Sequence, residues 1–222
     1  MITSQKVLQA FIIISIVYIL LLLAGLDAII WFLKPFLLPF LFYAVVKSES
    51  FPTKKWLLIA LLFSWIGDCI LLFSNKGELY FISGLAAFLI AHIVLIVLFT
   101  KQKSAHLSFK KPLFWMGFVC ATIYLAGMLS LLLPGLGDLR FPVILYALTI
   151  TIMLKTALKG SFDWKDNSKY WVLTGAVFFV ISDSILAIDK FHSPITSASF
   201  SIMATYLIAQ FCITYGILKL NK

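Results

Sequence analysis

Four ionisable side chains sit inside strongly apolar stretches of this chain: Lys34, Asp68, His92 and Asp183. Each is costly in hydrocarbon unless it is paired or faces a cavity, so each marks a place where structure or chemistry requires it. One Asp paired with Lys34 would be an ordinary helix-locking ion pair. Two Asp for one Lys leave a carboxyl over, and a desolvated carboxyl near a like charge can keep its proton. An acid and a base are then available together, which is the equipment for moving protons to and from a reacting bond. Tyr146, Ser182, Tyr206 and Gln210 are the neutral groups able to orient such a pair; hydroxyls and amides of this kind also bridge helices without any further role. His92 fits a packing role as well as an orienting one.

Other chemistries are less well supplied. Asp68, Asp183 and His92 could together hold a zinc ion, but no H-x-x-x-H or H-x-x-E-H spacing occurs, His106 sits in a basic loop and His192 in another loop. We therefore expect no metal and no other cofactor. Ser182 lies outside any G-x-S-x-G motif, and Ser64, Ser83 and Ser184 lack a recognisable base. The three cysteines stand singly in apolar runs, with no paired spacing.

The elements that position these groups follow from composition. Of 222 residues, 62% are hydrophobic and 12% charged, including 21 Phe, 6 Trp and 8 Tyr. A water-soluble fold of this size has no core large enough for them, so lipid must be the solvent. The expected fold is all-α, a single integral membrane domain over residues 1–222 with eight crossings near 7–26, 28–46, 55–73, 80–99, 112–133, 139–158, 169–188 and 197–218. The first run is longer than a signal-peptide core and no A-x-A site follows, so it reads as a retained helix. Measured from these expected helix ends, Asp68 and Asp183 lie at one level, Lys34 lies near it, and His92, Tyr206 and Gln210 fall nearer the midplane.

The net charge of +9 reads as a topology signal rather than a nucleic-acid surface, since no basic stripe with interleaved aromatics occurs on a soluble segment. With eight crossings, both termini share a side with the 47–54, 100–111 and 159–168 loops. Of the 18 Lys and Arg, only Lys34, Lys76, Arg140 and Lys190 fall on the other side. The positive-inside bias therefore predicts cytoplasmic termini and, for a bacterial-looking chain, an inner-membrane location.

One internal echo is present. FSWIGDCILLF (63–73) aligns without gaps to FFVISDSILAI (178–188), sharing Phe, Ile, Asp, Ile and Leu positions. Each Asp falls on the third helix of a four-helix half, which leaves open a duplication in parallel repeat or a chance match.

Several segments together resemble the YhhN family of integral membrane proteins: Lys34-Pro35, FSWIGD with the leucines after it (63–72), GLAAFLIAH (84–92), FPVILYA (141–147), GAVFFVISDSILAIDKF (175–191) and MATYLIAQ (203–210). The resemblance runs from the second helix to the eighth in order; the first helix and the loops add nothing to it. Animal members are lysoplasmalogenases, so it implies an eight-helix hydrolase that cleaves the vinyl ether bond of a lysophospholipid to a fatty aldehyde and a glycerophospho-alcohol. An enol ether hydrolyses by protonation of its β-carbon and capture of the oxocarbenium ion by water. That requires an acid and a base but no nucleophile, much as glycosidases use two carboxyls. On this reading Asp68 and Asp183 are the acid and base in unassigned order, within about 10 Å of each other. Lys34, His92, Tyr146, Ser182, Tyr206 and Gln210 bind or orient the substrate. The competing reading is a small proton-coupled transporter or lipid-binding membrane protein that uses the same Asp pair.

Overall fold

The computed structural model describes residues 3–103, 112–164 and 166–222. Most of the 100–111 loop, with His106, Lys110 and Lys111, and also Lys165, lies outside them. The described residues form eight long helices and no strand: α1 (Ser4–Leu23), α2 (Asp27–Val46), α3 (Lys54–Leu71), α4 (Glu78–Thr100), α5 (Pro112–Leu132), α6 (Arg140–Asp163), α7 (Lys169–Phe191) and α8 (Ala198–Leu220). Seven are long and apolar enough to cross a membrane; α3 carries Lys54, Lys55 and Asp68 in its 18 residues. Isoleucine, leucine and phenylalanine on many outward faces, such as Ile13, Phe32, Ile123 and Phe141, are exposed as a lipid-facing surface would be. The chain is a multi-pass, all-α integral membrane protein.

The chain divides into two compact units, Met1–Leu98 and Phe99–Leu220. The first holds α1 to α3 and nearly all of α4. Thr3 caps α1 by accepting a hydrogen bond from the Lys6 N–H, and Gly25 ends it in the left-handed region at φ 69°. There the Leu26 N–H returns to the Leu21 carbonyl, so the chain reverses within three residues and α1 packs against α2. Gly67 on α3 faces Phe88 on α4, where an added Cβ would lie 2.7 Å from the ring. A side chain there would push the two helices apart and move Asp68 with them.

The second unit holds α5 to α8, with α7 and α8 in the most intimate contact. Gly175 on α7 lies so close to α8 that a Cβ would come within 2.8 Å of the Ala209 carbonyl oxygen, and Gly216 on α8 is pressed against Val172. Small residues let membrane helices meet backbone to backbone, where dispersion is the main attraction. Ahead of α7, Asp166 accepts hydrogen bonds from the Ser168 hydroxyl and backbone N–H, which hold its carboxyl below the usual range.

Helix α6 runs on to Asp163, beyond the expected end near 158. The Trp164 N–H closes it on the Gly160 carbonyl, and within it Lys155 Nζ donates to Thr122 at 2.8 Å and lies 4.0 Å over the Phe118 ring. Helix α7 likewise continues to Phe191, while α3 stops at Leu71. Asp68 is thus three residues from the end of its helix and Asp183 eight, roughly 4.5 and 12 Å along their axes. The equal distances from helix ends expected from the sequence are not found, because the two helices stop at different places relative to the shared motif.

Candidate functional site

In the first unit, Asp68 is 3% exposed and its Oδ1 lies 3.8 Å from Lys34 Nζ. The pair joins α3 to α2, and a cation on one helix accounts for a carboxylate on the next. Its neighbourhood is set by two prolines. Pro39 has no N–H, so the Pro35 carbonyl loses the donor that an unbroken helix would supply. Trp65, one turn before Asp68 on α3, fills that role: its indole Nε1–H donates to the Pro35 oxygen at 2.7 Å. In lipid, a carbonyl freed by proline has to be met from a neighbouring helix in this way. His92 is completely buried on α4.

In the second unit, the Tyr146 hydroxyl on α6 donates to Asp183 Oδ2 on α7 at 2.5 Å. Beside it the Tyr124 hydroxyl donates to Ser184 Oγ, which itself donates to the Val180 carbonyl. These groups line a mostly apolar cleft of about 60 Å³ whose walls include Met128, Leu132 and Val143. Ser184 is therefore engaged with its own helix and not poised as a nucleophile. Ser182, next to Asp183, points to α8 and donates to the Ile202 carbonyl at 3.0 Å. Tyr206 and Gln210 are buried on the middle turns of α8, Tyr206 edge-to-face with Phe179, and Gln210 Nε2 has no hydrogen-bond partner among the described residues.

The structure thus joins Lys34 with Asp68 and Tyr146 with Asp183, whereas Ser182 serves the α7–α8 contact. Among the described residues, no group of three or more His, Cys, Asp or Glu gathers as metal ligands do. Trp65, Tyr124 and Ser184 were not singled out as partners from the sequence. Trp65 had a usable signal, since Pro39 four residues after Pro35 announces an orphaned carbonyl.

The echo between halves extends to the partners. In each unit the Asp stands on the third helix and is met from the second. In the register that pairs Asp68 with Asp183, Lys34 pairs with Thr149, one helical turn from Tyr146. The residue before each Asp meets the fourth helix, Gly67 against Phe88 and Ser182 against Ile202.

The fold and these two carboxyls, Asp68 buried and Asp183 half-buried, define a polytopic α-helical membrane protein with an acid-bearing third helix in each half. The chain belongs to the YhhN family, whose sequence profile matches residues 29–217. Human Lysoplasmalogenase TMEM86A is 32% identical over 165 residues, covering 72% of this chain and 63% of that protein. Human Lysoplasmalogenase TMEM86B is 33% identical over 178 residues, 78% of this chain and 68% of its own length. A Lysoplasmalogenase of Mycobacterium tuberculosis (strain CDC 1551 / Oshkosh) is 32% identical over 170 residues, 73% and 60% respectively. The chain therefore spans less than two thirds of TMEM86A and of the mycobacterial relative. No solved structure matches it.

Proposed function

We propose that this protein is a lysoplasmalogenase-type hydrolase that cleaves the vinyl ether bond of a single-chain glycerophospholipid by carboxyl acid–base catalysis, both units acting as one membrane domain. The observation that carries the reading is the contrast between the two intramembrane carboxyls in a chain with relatives of that name: Asp68 has a cation as partner and Asp183 a phenol. Asp183 is the acid. Tyr146 fixes its carboxyl by donating to one oxygen, and the acid proton passes from Asp183 to the β-carbon of the enol ether. Protonation makes an oxocarbenium ion at the α-carbon. Asp68, an ionised base balanced by Lys34, takes a proton from the water that adds there. The resulting hemiacetal collapses to a fatty aldehyde and the freed glycerol hydroxyl, so water supplies the oxygen of the aldehyde. His92, Tyr206 and Gln210 orient substrate and water. By the distribution of Lys and Arg, both termini lie in the cytoplasm and the membrane is the cell inner membrane.

The test is aldehyde release by purified protein from lysoplasmenyl-choline and -ethanolamine lipids, with saturated-ether and acyl lysolipids as controls. Release from the vinyl ether alone, slowed in heavy water because carbon protonation limits the rate, is the expected result. Release from the acyl lipid alone would make the protein a lysophospholipase. No release from any lipid, with proton-dependent solute or lipid movement instead, would favour transport.

A further inference from the structure

A second feature of the first unit lies along the same two helices as the Lys34–Asp68 pair. Between α2 and α3 is an open, almost wholly apolar trough of about 450 Å³, floored by Leu38 and Leu61 and walled by Pro39, Tyr43, Leu62 and Trp65. Its origin is local. Pro39 presents only a compact ring to the interface. The Trp65 indole, tied to the Pro35 carbonyl, holds the helices together at one end and keeps its ring across the trough head. The volume of the trough, about 450 Å³, suits one hydrocarbon chain rather than two.

The trough has a polar end. Trp65 forms its head, and the Pro35 carbonyl it binds adjoins Lys34, whose side chain is 15% exposed. At 3.8 Å from Asp68 the ammonium lies beyond hydrogen-bond range, so its N–H donors are available to phosphate oxygens. From Lys34 to Tyr43 is nine residues of α2, roughly 13–14 Å of apolar wall leading away from the charge. Pro39, Tyr43 and Leu62 are open to the surroundings, which for this chain are lipid, so a chain can enter sideways from the bilayer.

We propose that this trough seats the hydrocarbon chain of the single-chain lysophospholipid, with Lys34 receiving the phosphate and the first chain carbons passing Asp68. The assignment rests on the hydrolase reading above and adds to it the element that selects chain length. A bilayer phospholipid with two chains is the alternative occupant, and the trough's volume argues against it.

The experiment pairs a binding measurement with turnover, using a graded series of chain lengths. Binding is followed with saturated-ether lysophosphocholines, which the proposed chemistry does not cleave. Turnover is followed with the matching vinyl ethers. Leu62→Trp places an indole in the trough from a lipid-exposed position. In the unmodified protein, with each lipid supplied as monomers in water, affinity should rise about three- to fourfold per added methylene until the trough is full, the usual return on moving CH₂ out of water. In Leu62→Trp the rise should stop at a shorter chain, with short-chain binding and turnover retained, which also shows that the variant is folded. Identical chain-length series in both proteins would overturn the trough assignment, as would equally strong competition by a diacyl phosphatidylcholine. A shifted binding series with no aldehyde from any chain would leave the trough standing and defeat the hydrolase reading; aldehyde release with an unshifted series would do the reverse.

Discussion

The Trp65–Pro35 hydrogen bond offers a direct test of how this fold holds its charged pair. Trp65→Phe keeps an aromatic ring on α3 but removes the only N–H that the ring can offer. The Pro35 carbonyl then has neither the indole nor an in-helix donor, because residue 39 is proline. Interhelical hydrogen bonds in membranes average about 0.6 kcal/mol and reach about 1.7. The missing in-helix donor puts this one at the upper end, at about 1.5 kcal/mol. Pro39→Ala restores an N–H in the correct place for Pro35, so in that background the indole becomes dispensable. Trp65→Phe should then cost about 0.5 kcal/mol, the packing lost with the larger ring, which is common to both backgrounds and cancels in the cycle. The coupling is about 1.5 kcal/mol, roughly a tenfold change in the folded-to-unfolded ratio. It can be read from the unfolding equilibria of the four proteins in mixed detergent micelles, with circular dichroism to confirm that Pro39→Ala remains helical. Equal costs of Trp65→Phe in the two backgrounds, within the additivity limit of about 0.3–0.5 kcal/mol, would refute the proline-orphan argument.

Further outcomes follow from the site. Asp68→Asn and Asp183→Asn should each lower kcat on the order of a hundredfold or more, the scale of a positioned acid or base. The double variant should be little worse than either single one if both serve the same bond, whereas multiplying losses would place the two carboxyls in separate tasks. Ser182→Ala should leave kcat within a few-fold and instead cost about 0.6 kcal/mol of stability, since its hydroxyl serves the α7–α8 contact; a hundredfold loss of kcat would return Ser182 to the reaction. Activity should survive a strong chelator, and loss that zinc restores would instead join Asp68, Asp183 and His92 as ligands. Reporter fusions should find both termini cytoplasmic, and a C-terminus on the opposite face would mean that one helix, α3 before any other, does not cross.

Much of this protein was legible in its sequence because lipid is an unforgiving solvent. Backbone groups in the bilayer must find partners without water, and a helix supplies nearly all of them internally, so long apolar runs become helices whatever their neighbours do. All eight were placed to within a few residues apart from the end of α6. The same economy made Asp68 and Asp183 conspicuous, since a carboxyl in hydrocarbon is rarely accidental. What sequence could not decide was partnership. Nothing in the spacing of Lys34 and Tyr146 says that one meets Asp68 and the other Asp183, because the second helix of each half can be turned about its axis to present a different face. Helix ends also depend on contacts made elsewhere. Lys155, bonded to Thr122 and lying over Phe118, sits within a longer α6; α7 outruns α3 past the shared motif, and so the carboxyls stand at different depths along their helices. Serine 182 is the sharpest case: its place beside Asp183 suggested an orienting role, but the close approach of α7 and α8 at Gly175 and Gly216 brings the Ile202 carbonyl within reach of its hydroxyl. Apolar periodicity and the cost of charge act locally and can be read from one strand of text; which side chain meets which is decided by helix rotation and close packing, and those exist only once the helices have come together.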